Sequence, residues 1–180
     1  MTNEPEVSEL LTEAWKKRRL RNYDKAKELV VRAQTLCMEE DHFWLGRIFH
    51  IRAQFESDHD RPEKALEYCQ QSVEHYSESE NTDRIAHSTR HMADIQRRLN
   101  RFEEAESNYR KSLHLYRNNL TTAKGDLANA MRGFGLLLER IDKIEEAIKT
   151  WTEVKELYRS CNLMEGVREA DKRLDELNNR

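Results

Sequence analysis

The residues whose types could do chemistry are three histidines, a basic run and three cysteines. His87 and His91 are four residues apart, so one helical face would carry both imidazoles. Together with His50 they could hold a zinc ion. No Cys or Glu joins them at a ligand spacing and no His-Glu-x-x-His occurs, so they read as polar surface histidines, with no metal and no cofactor. Their titration near neutrality would make capture of an acidic ligand pH-dependent. The run Lys16-Lys17-Arg18-Arg19-Leu20-Arg21 is similar to a nuclear-localisation or nucleic-acid patch. It also falls where a first helix would end, and cations there meet the negative end of the dipole. The second reading is preferred. Cys37, Cys69 and Cys161 make an odd set with no pairing pattern, which reads as reduced thiols in a cytoplasmic protein. No phosphate loop, nucleophile elbow or paired-carboxylate motif is present, so no enzyme is expected.

What must position these residues is a repeat. Ala26, Ala65, Ala105 and Ala147 follow one another at intervals of 39, 40 and 42 residues. Twelve residues before them stand Ala14, Ala53, Ala93 and Gly135. Four after stand Val30, Cys69, Tyr109 and Trp151, and seven after Ala33, Ser72, Ser112 and Val154. Eleven after come Cys37, Tyr76, Tyr116 and Tyr158, and three before come Tyr23, Pro62, Phe102 and Ile144. The downstream positions share one helical stripe, and the position twelve before lies on a preceding antiparallel helix. Small residues in both helices let them approach closely. The aromatic series is therefore packing rather than a cofactor box, and Cys69 is a small buried apolar residue.

Composition agrees. Of 180 residues 37% are hydrophobic and 36% charged, with five Gly and two Pro. That suits thin helical layers with much surface and leaves too few turn residues for strands. The net charge of −3 names no partner. The acidic MTNEPEVSEL start is no signal peptide, and no apolar run approaches a membrane span. The initiating Met and the polar last segment favour a complete chain.

The stretches NYDKAKELVVRA, RPEKALEYCQQS, RFEEAESNYRKS and KIEEAIKTWTEV resemble the tetratricopeptide repeat, with its small–aromatic–small signature across two helices. The units are longer than the usual ~34 residues, and the Pro that closes a unit is absent. Their length is similar to that of kinesin light chain, Pins-type and Rap-type domains. The resemblance implies an all-α, right-handed superhelical solenoid of four antiparallel helix pairs plus a C-terminal capping helix. It predicts a single domain over 1–180, with repeats at about 6–38, 43–78, 82–118 and 122–160 and a cap at about 163–178. Helices are expected at about 6–20, 23–38, 43–58, 62–78, 82–98, 102–118, 122–140, 144–160 and 163–178.

The resemblance further implies that the first helix of every pair lines a concave groove. Its ligand-facing columns are Trp15, Arg18 and Arg19 with Ser8, Leu11 and Thr12; Arg47, His50 and Gln54 with Ile51, Ser57 and Asp58; His87, Arg90, His91, Asp94, Arg97 and Arg98; and Asn129, Arg132, Leu136 and Arg140 with Gly133 and Glu139. Eight of these are Arg and none is Lys, and Arg suits bidentate contacts to carboxylate or phosphate. Two readings stand side by side. In one, the groove binds an acidic segment of a partner protein, with Trp15 as an apolar anchor. In the other, the arginines form a solvated face paired internally to Asp58, Asp94 and Glu139. The chaperone-tail clamp is excluded, because Leu11, Trp15, Ile51, His87 and His91 replace its Lys, Asn and Arg. Trp15 is the lone groove aromatic, so no nucleic acid is expected; nor is a membrane. The alternative function is a self-associating module, with a homodimer formed through Phe43, Trp44 and Leu45.

Overall fold

In the computed structural model, residues 2–119 and 121–179 are described. Among them every regular element is an α-helix: α1 (Glu4–Arg19), α2 (Tyr23–Thr35), α3 (His42–Asp58), α4 (Pro62–Glu78), α5 (Thr82–Arg98), α6 (Phe102–Asn118), α7 (Lys124–Arg140), α8 (Ile144–Ser160) and α9 (Met164–Asn178). The all-α expectation holds, helix by helix. Three boundaries differ by more than a residue for visible reasons. α2 stops at Thr35 rather than 38, and the Asp41 carboxylate takes the Met38 N–H at 2.7 Å, a local bond that competes with helix. α7 starts at Lys124 rather than 122, and the Asn119 side chain takes the Thr121 N–H at 3.0 Å. α1 starts at Glu4, capped by the Asn3 side chain on the Glu6 N–H.

Six of the turns share one device. Arg21, Asp60, Glu80, Asn100, Asp142 and Asn162 all have φ between 52° and 59°. The residue after each donates its N–H five positions back: Asn22 to the Lys17 carbonyl, Arg61 to Glu56, Asn81 to Tyr76, Arg101 to Gln96, Lys143 to Leu138 and Leu163 to Tyr158. These are Schellman closures, which normally place Gly at the left-handed residue. Asp and Asn tolerate that conformation; Arg and Glu do so less well. Glu80→Gly is therefore expected to stabilise the chain by about 0.5–1 kcal/mol, read as an upward shift of the urea midpoint at unchanged slope.

The chain divides into two units, Met1–Ser88 and Thr89–Arg180, with the division inside α5. In the first, α1 pairs with α2 and α3 with α4, and both helices of the first pair meet α3. Val7, Leu11, Ala14, Ala26, Val30, Ile48, Ile51 and Phe55 form its core cluster. In the second, α7 meets α6 and α8, and α9 meets α8. Tyr109, Leu137, Leu138, Trp151 and Val154 are among its buried side chains. The anchor alanines and their partners Ala14, Ala53 and Ala93 are all fully buried. Gly135 is buried too, and a Cβ there would lie 3.0 Å from the Trp151 ring.

A further column was not read from the sequence. Nineteen residues before the anchors stand Val7, Gly46, Ala86 and Ala128, all buried. Gly46 is small because Tyr76 lies on it: a Cβ there would come within 2.7 Å of the Tyr76 ring. In the first repeat Val7 fills the place, and Cys37, half-buried beyond the end of α2, packs against the cluster that holds it.

Among the described residues no helix is long and apolar enough to cross a membrane.

Candidate functional site

The first-helix faces are built unit by unit. In the first unit, Arg18 lies in the last turn of α1 and Asp58 at the end of α3. They meet in a bidentate pair, Nε to Oδ2 at 2.6 Å and Nη2 to Oδ1 at 2.8 Å, and Nη2 also reaches the Gln54 amide oxygen at 3.2 Å. The guanidinium sits over the Trp15 ring, 4.8 Å from its centroid. The Trp15 indole in turn stacks loosely on His50 at 6.4 Å, and the His50 and His87 rings are 5.0 Å apart. His50 and Gln54 are themselves buried and offer little surface. A polar chain holds His50: its Nδ1 is 3.3 Å from the Ser88 hydroxyl, which is 2.9 Å from that of Ser72, and Ser72 donates to the Gly46 carbonyl at 2.9 Å. Leu11 and Ile51, placed by the resemblance in ligand-facing columns, belong to the core. Arg19 is exposed. Within the basic run, Lys16 and Lys17 pair with Glu13.

Arg47 is different. It is half-buried, its Cζ lies 5.5 Å from the centroid of the Trp44 ring, and no carboxylate among the described residues lies in ion-pair range. Burial and the nearby Arg84 charge hold its guanidinium below its ordinary value, opposed by the Tyr76 phenol. The adjacent aromatic patch proposed for self-association is used inside the unit: Trp44 and Leu45 pack on the core cluster, and Phe43 meets the rings of Trp44 and Tyr76 at 4.9 and 6.1 Å.

In the second unit, Asp94 is the hub. One carboxylate oxygen accepts from Arg90 at 3.1 Å and the other accepts the Tyr109 hydroxyl. Arg90 also contacts His91 Nε2 at 2.8 Å, and Arg97 Nε reaches the Tyr109 oxygen at 3.3 Å. Burial and the Asp94 charge push the Tyr109 phenol well above its ordinary range, so it remains a donor. Gly133 on α7 makes room: a Cβ there would fall 2.7 Å from the Tyr109 hydroxyl and 2.8 Å from Asp94 Oδ1. Arg132 holds Glu169 of α9 with two bonds of 2.6 Å, which keeps its guanidinium more firmly protonated than usual. This pair borders an open hollow of about 550 Å³ that also includes Asn129, Tyr158, Leu163 and Met164. Asn129 accepts from the Tyr158 hydroxyl at 2.9 Å. Glu139 accepts from the Trp151 indole and, at 3.4 Å, from Arg173. Leu136 is half-buried, and Arg98 and Arg140 are exposed.

Most of the long-range charge partners were missed from the sequence, Asp58 alone among them having been named as an internal partner of the groove arginines. Arg18–Asp58, Arg132–Glu169, Arg117–Glu153, Arg110–Glu146 and Lys143–Glu106 are separated by 40, 37, 36, 36 and 37 residues. The signal was available: an opposite charge about one repeat length away. Two of them, Arg110–Glu146 and Arg117–Glu153, span a second hollow of about 440 Å³ floored by Leu113, Met131 and Phe134.

Antiparallel helix pairs with small residues at each crossing and polar first-helix faces define a helical-repeat protein of the kind that binds other proteins. The tetratricopeptide-repeat family model matches residues 44–118 and 84–160, and the chain belongs to that family. No curated protein matches it by sequence. Among solved structures, aspartyl phosphate phosphatase F from Bacillus subtilis is similar at 15% identity and TM-score 0.76, over 96% of this chain and 45% of its own length. BtubC (BKLC) from P. vanneervenii is similar at 17% identity and TM-score 0.63, over 96% and 78%. The kinesin light chain TPR-like repeats from Podosopora anserina are similar at 13% identity and TM-score 0.59, over 99% and 97%. At these identities the likeness is one of fold.

Proposed function

We propose that this chain is a non-enzymatic, cytoplasmic scaffold that captures an acidic segment of a partner protein on the first-helix face of its N-terminal unit. Tetratricopeptide repeats are protein-binding modules, which supports the general reading. The single observation behind the acidic partner is Arg47, a half-buried guanidinium with no carboxylate of its own among the described residues. Arg18, Arg90 and Arg132 contribute less, because Asp58, Asp94 and Glu169 already neutralise them. Their pairing favours the reading of those three as an internally balanced face, and narrows the acidic-ligand reading to Arg47 and its surroundings.

A dye-labelled oligoglutamate peptide tests this by fluorescence anisotropy. Arg47→Glu is expected to weaken binding by about tenfold, equivalent to about 1.4 kcal/mol. Arg90→Glu with Arg97→Glu is expected to do less. Unchanged affinity in Arg47→Glu would remove the proposal.

A further inference from the structure

Three imidazoles that lie apart in the sequence meet in space. His50 stands on α3, and His87 and His91 stand one turn apart on the unbroken helix α5. One ring nitrogen from each lies within 4.8 Å of those from the other two. The His50 and His87 rings are 5.0 Å apart. Among the described residues no other three histidine, cysteine or carboxylate groups converge in this way. The tautomer of His50 follows from its polar chain. The Gly46 carbonyl can only accept, so Ser72 donates to it, and the Ser72 oxygen accepts from Ser88. That uses the Ser88 proton, so the Ser88 oxygen accepts from His50 Nδ1–H. The lone pair of His50 therefore lies on Nε2, an atom sealed from solvent. On His91, Arg90 Nη2 lies 2.8 Å from Nε2, and a guanidinium only donates, so that nitrogen also carries its lone pair. A histidine oriented by a hydrogen bond on one ring nitrogen, with the other left as a base, is the usual form of a metal ligand. Two histidines four apart on one helical face are a recurrent zinc-binding pair.

We infer that His50, His87 and His91 form a site for a divalent ion of the zinc class, each imidazole giving one neutral nitrogen and the fourth position going to water. The donor chemistry selects the metal. Imidazole suits Zn²⁺, Co²⁺, Ni²⁺ and Cu²⁺, whereas Mg²⁺ and Ca²⁺ want oxygen. A tetrahedral ion about 2.0–2.1 Å from each nitrogen needs them roughly 3.4 Å apart. Small turns of the half-buried His87 and His91 rings complete the set, while Ser88 and Ser72 hold His50 in place. On His91 the ion replaces the Arg90 N–H, and Arg90 keeps Asp94 as its charge partner at 3.1 Å. Three protein ligands and one open position mark an exchangeable site rather than a closed structural one. The inference needs no acidic partner and stands apart from that reading. No ligand spacing announces the trio in the sequence, because His50 comes from the preceding repeat.

Co²⁺ is the spectroscopic probe. Titrated into the full chain, it is expected to give the visible absorption of a tetrahedral ion, saturating at about one equivalent and displaced by Zn²⁺. His87→Gln is expected to weaken binding about a hundredfold or more, since it removes a ligand. Ser88→Ala, which frees His50 and touches no ion, is expected to weaken it about tenfold. The double variant His42→Gln/His75→Gln removes the other close histidine pair, whose Nδ1 atoms are 3.2 Å apart, and is expected to leave binding unchanged. Zn²⁺ is expected to raise the melting temperature of the parent and not that of His87→Gln. In the parent itself, ring-nitrogen NMR signals of His50, His87 and His91 are expected to shift with Zn²⁺ while those of the other histidines stay, a readout that needs no variant. Absence of a saturating visible band overturns the site. A near-ultraviolet thiolate band, which puts the ion on a cysteine, also overturns it, as do NMR shifts confined to other histidines.

Discussion

Trp151→Ala is expected to destabilise the protein by about 4 kcal/mol, a large share of the ~5–15 kcal/mol that holds a typical domain together. Trp151 is fully buried on α8 and lies against Gly135 of α7, at the crossing where the repeat places its two small residues. Truncation leaves a ring-sized void that two stiff helices cannot close. It also strips a partner from Glu139, which accepts the indole N–H at 2.7 Å and links onward to Arg173 of α9. Three helices lose their common contact in one change. Urea denaturation followed by circular dichroism measures the loss. Trp151→Phe, which keeps much of the volume and removes the N–H, is expected to cost about 2 kcal/mol. A loss below about 1 kcal/mol in Trp151→Ala would show that the α7–α8 crossing does not depend on this ring.

The second large effect is expected at Gly133. Replacing a mid-helix glycine by alanine normally gains about 1 kcal/mol of helix stability. Here the sign reverses, to a net cost of about 2 kcal/mol. The new methyl would sit 2.7 Å from the Tyr109 hydroxyl and 2.8 Å from Asp94 Oδ1, in the space their hydrogen bond occupies. Tyr109 is fully buried and cannot swing away. Opening that bond also loosens Arg90 and Arg97, which both lean on the pair. Thermal melting gives the direction, and a double-mutant cycle with Tyr109→Phe gives the mechanism. The two changes are expected to be strongly non-additive, because each removes the same bond. Additive costs, or a Gly133→Ala variant more stable than the parent, would contradict it.

The fold was largely legible because close packing is a local demand repeated four times. Ala26, Ala65, Ala105 and Ala147 are small in the sequence because each is fully buried at a helix crossing. The turns were legible as polar breaks such as Leu99-Asn100-Arg101, though not their left-handed residue, since only Asn and Asp hint at it and Arg21 and Glu80 do not. The candidate site was less legible. Sequence columns show which arginines share a face, and they do not show which are already answered. Arg18 and Arg47 look alike in their columns; one meets Asp58 forty residues on, and the other meets Trp44. Ile51 illustrates the opposite failure, a column assigned to ligand that the apolar core claims.

The pairing of Gly46 with Tyr76 has a consequence for how such a chain can change over time. The later repeats carry the same residue sizes in these columns, Ala86 and Ala128 nineteen before the anchor and Tyr116 and Tyr158 eleven after it. The first repeat carries the reverse, with Val7 and Cys37. The four units are therefore not interchangeable parts. A segment copied from one repeat into another carries half of a lock whose key lies thirty residues away. Shuffling among these repeats is viable only for fragments long enough to move both halves at once, so the heritable building block is the whole helix pair, never the single helix.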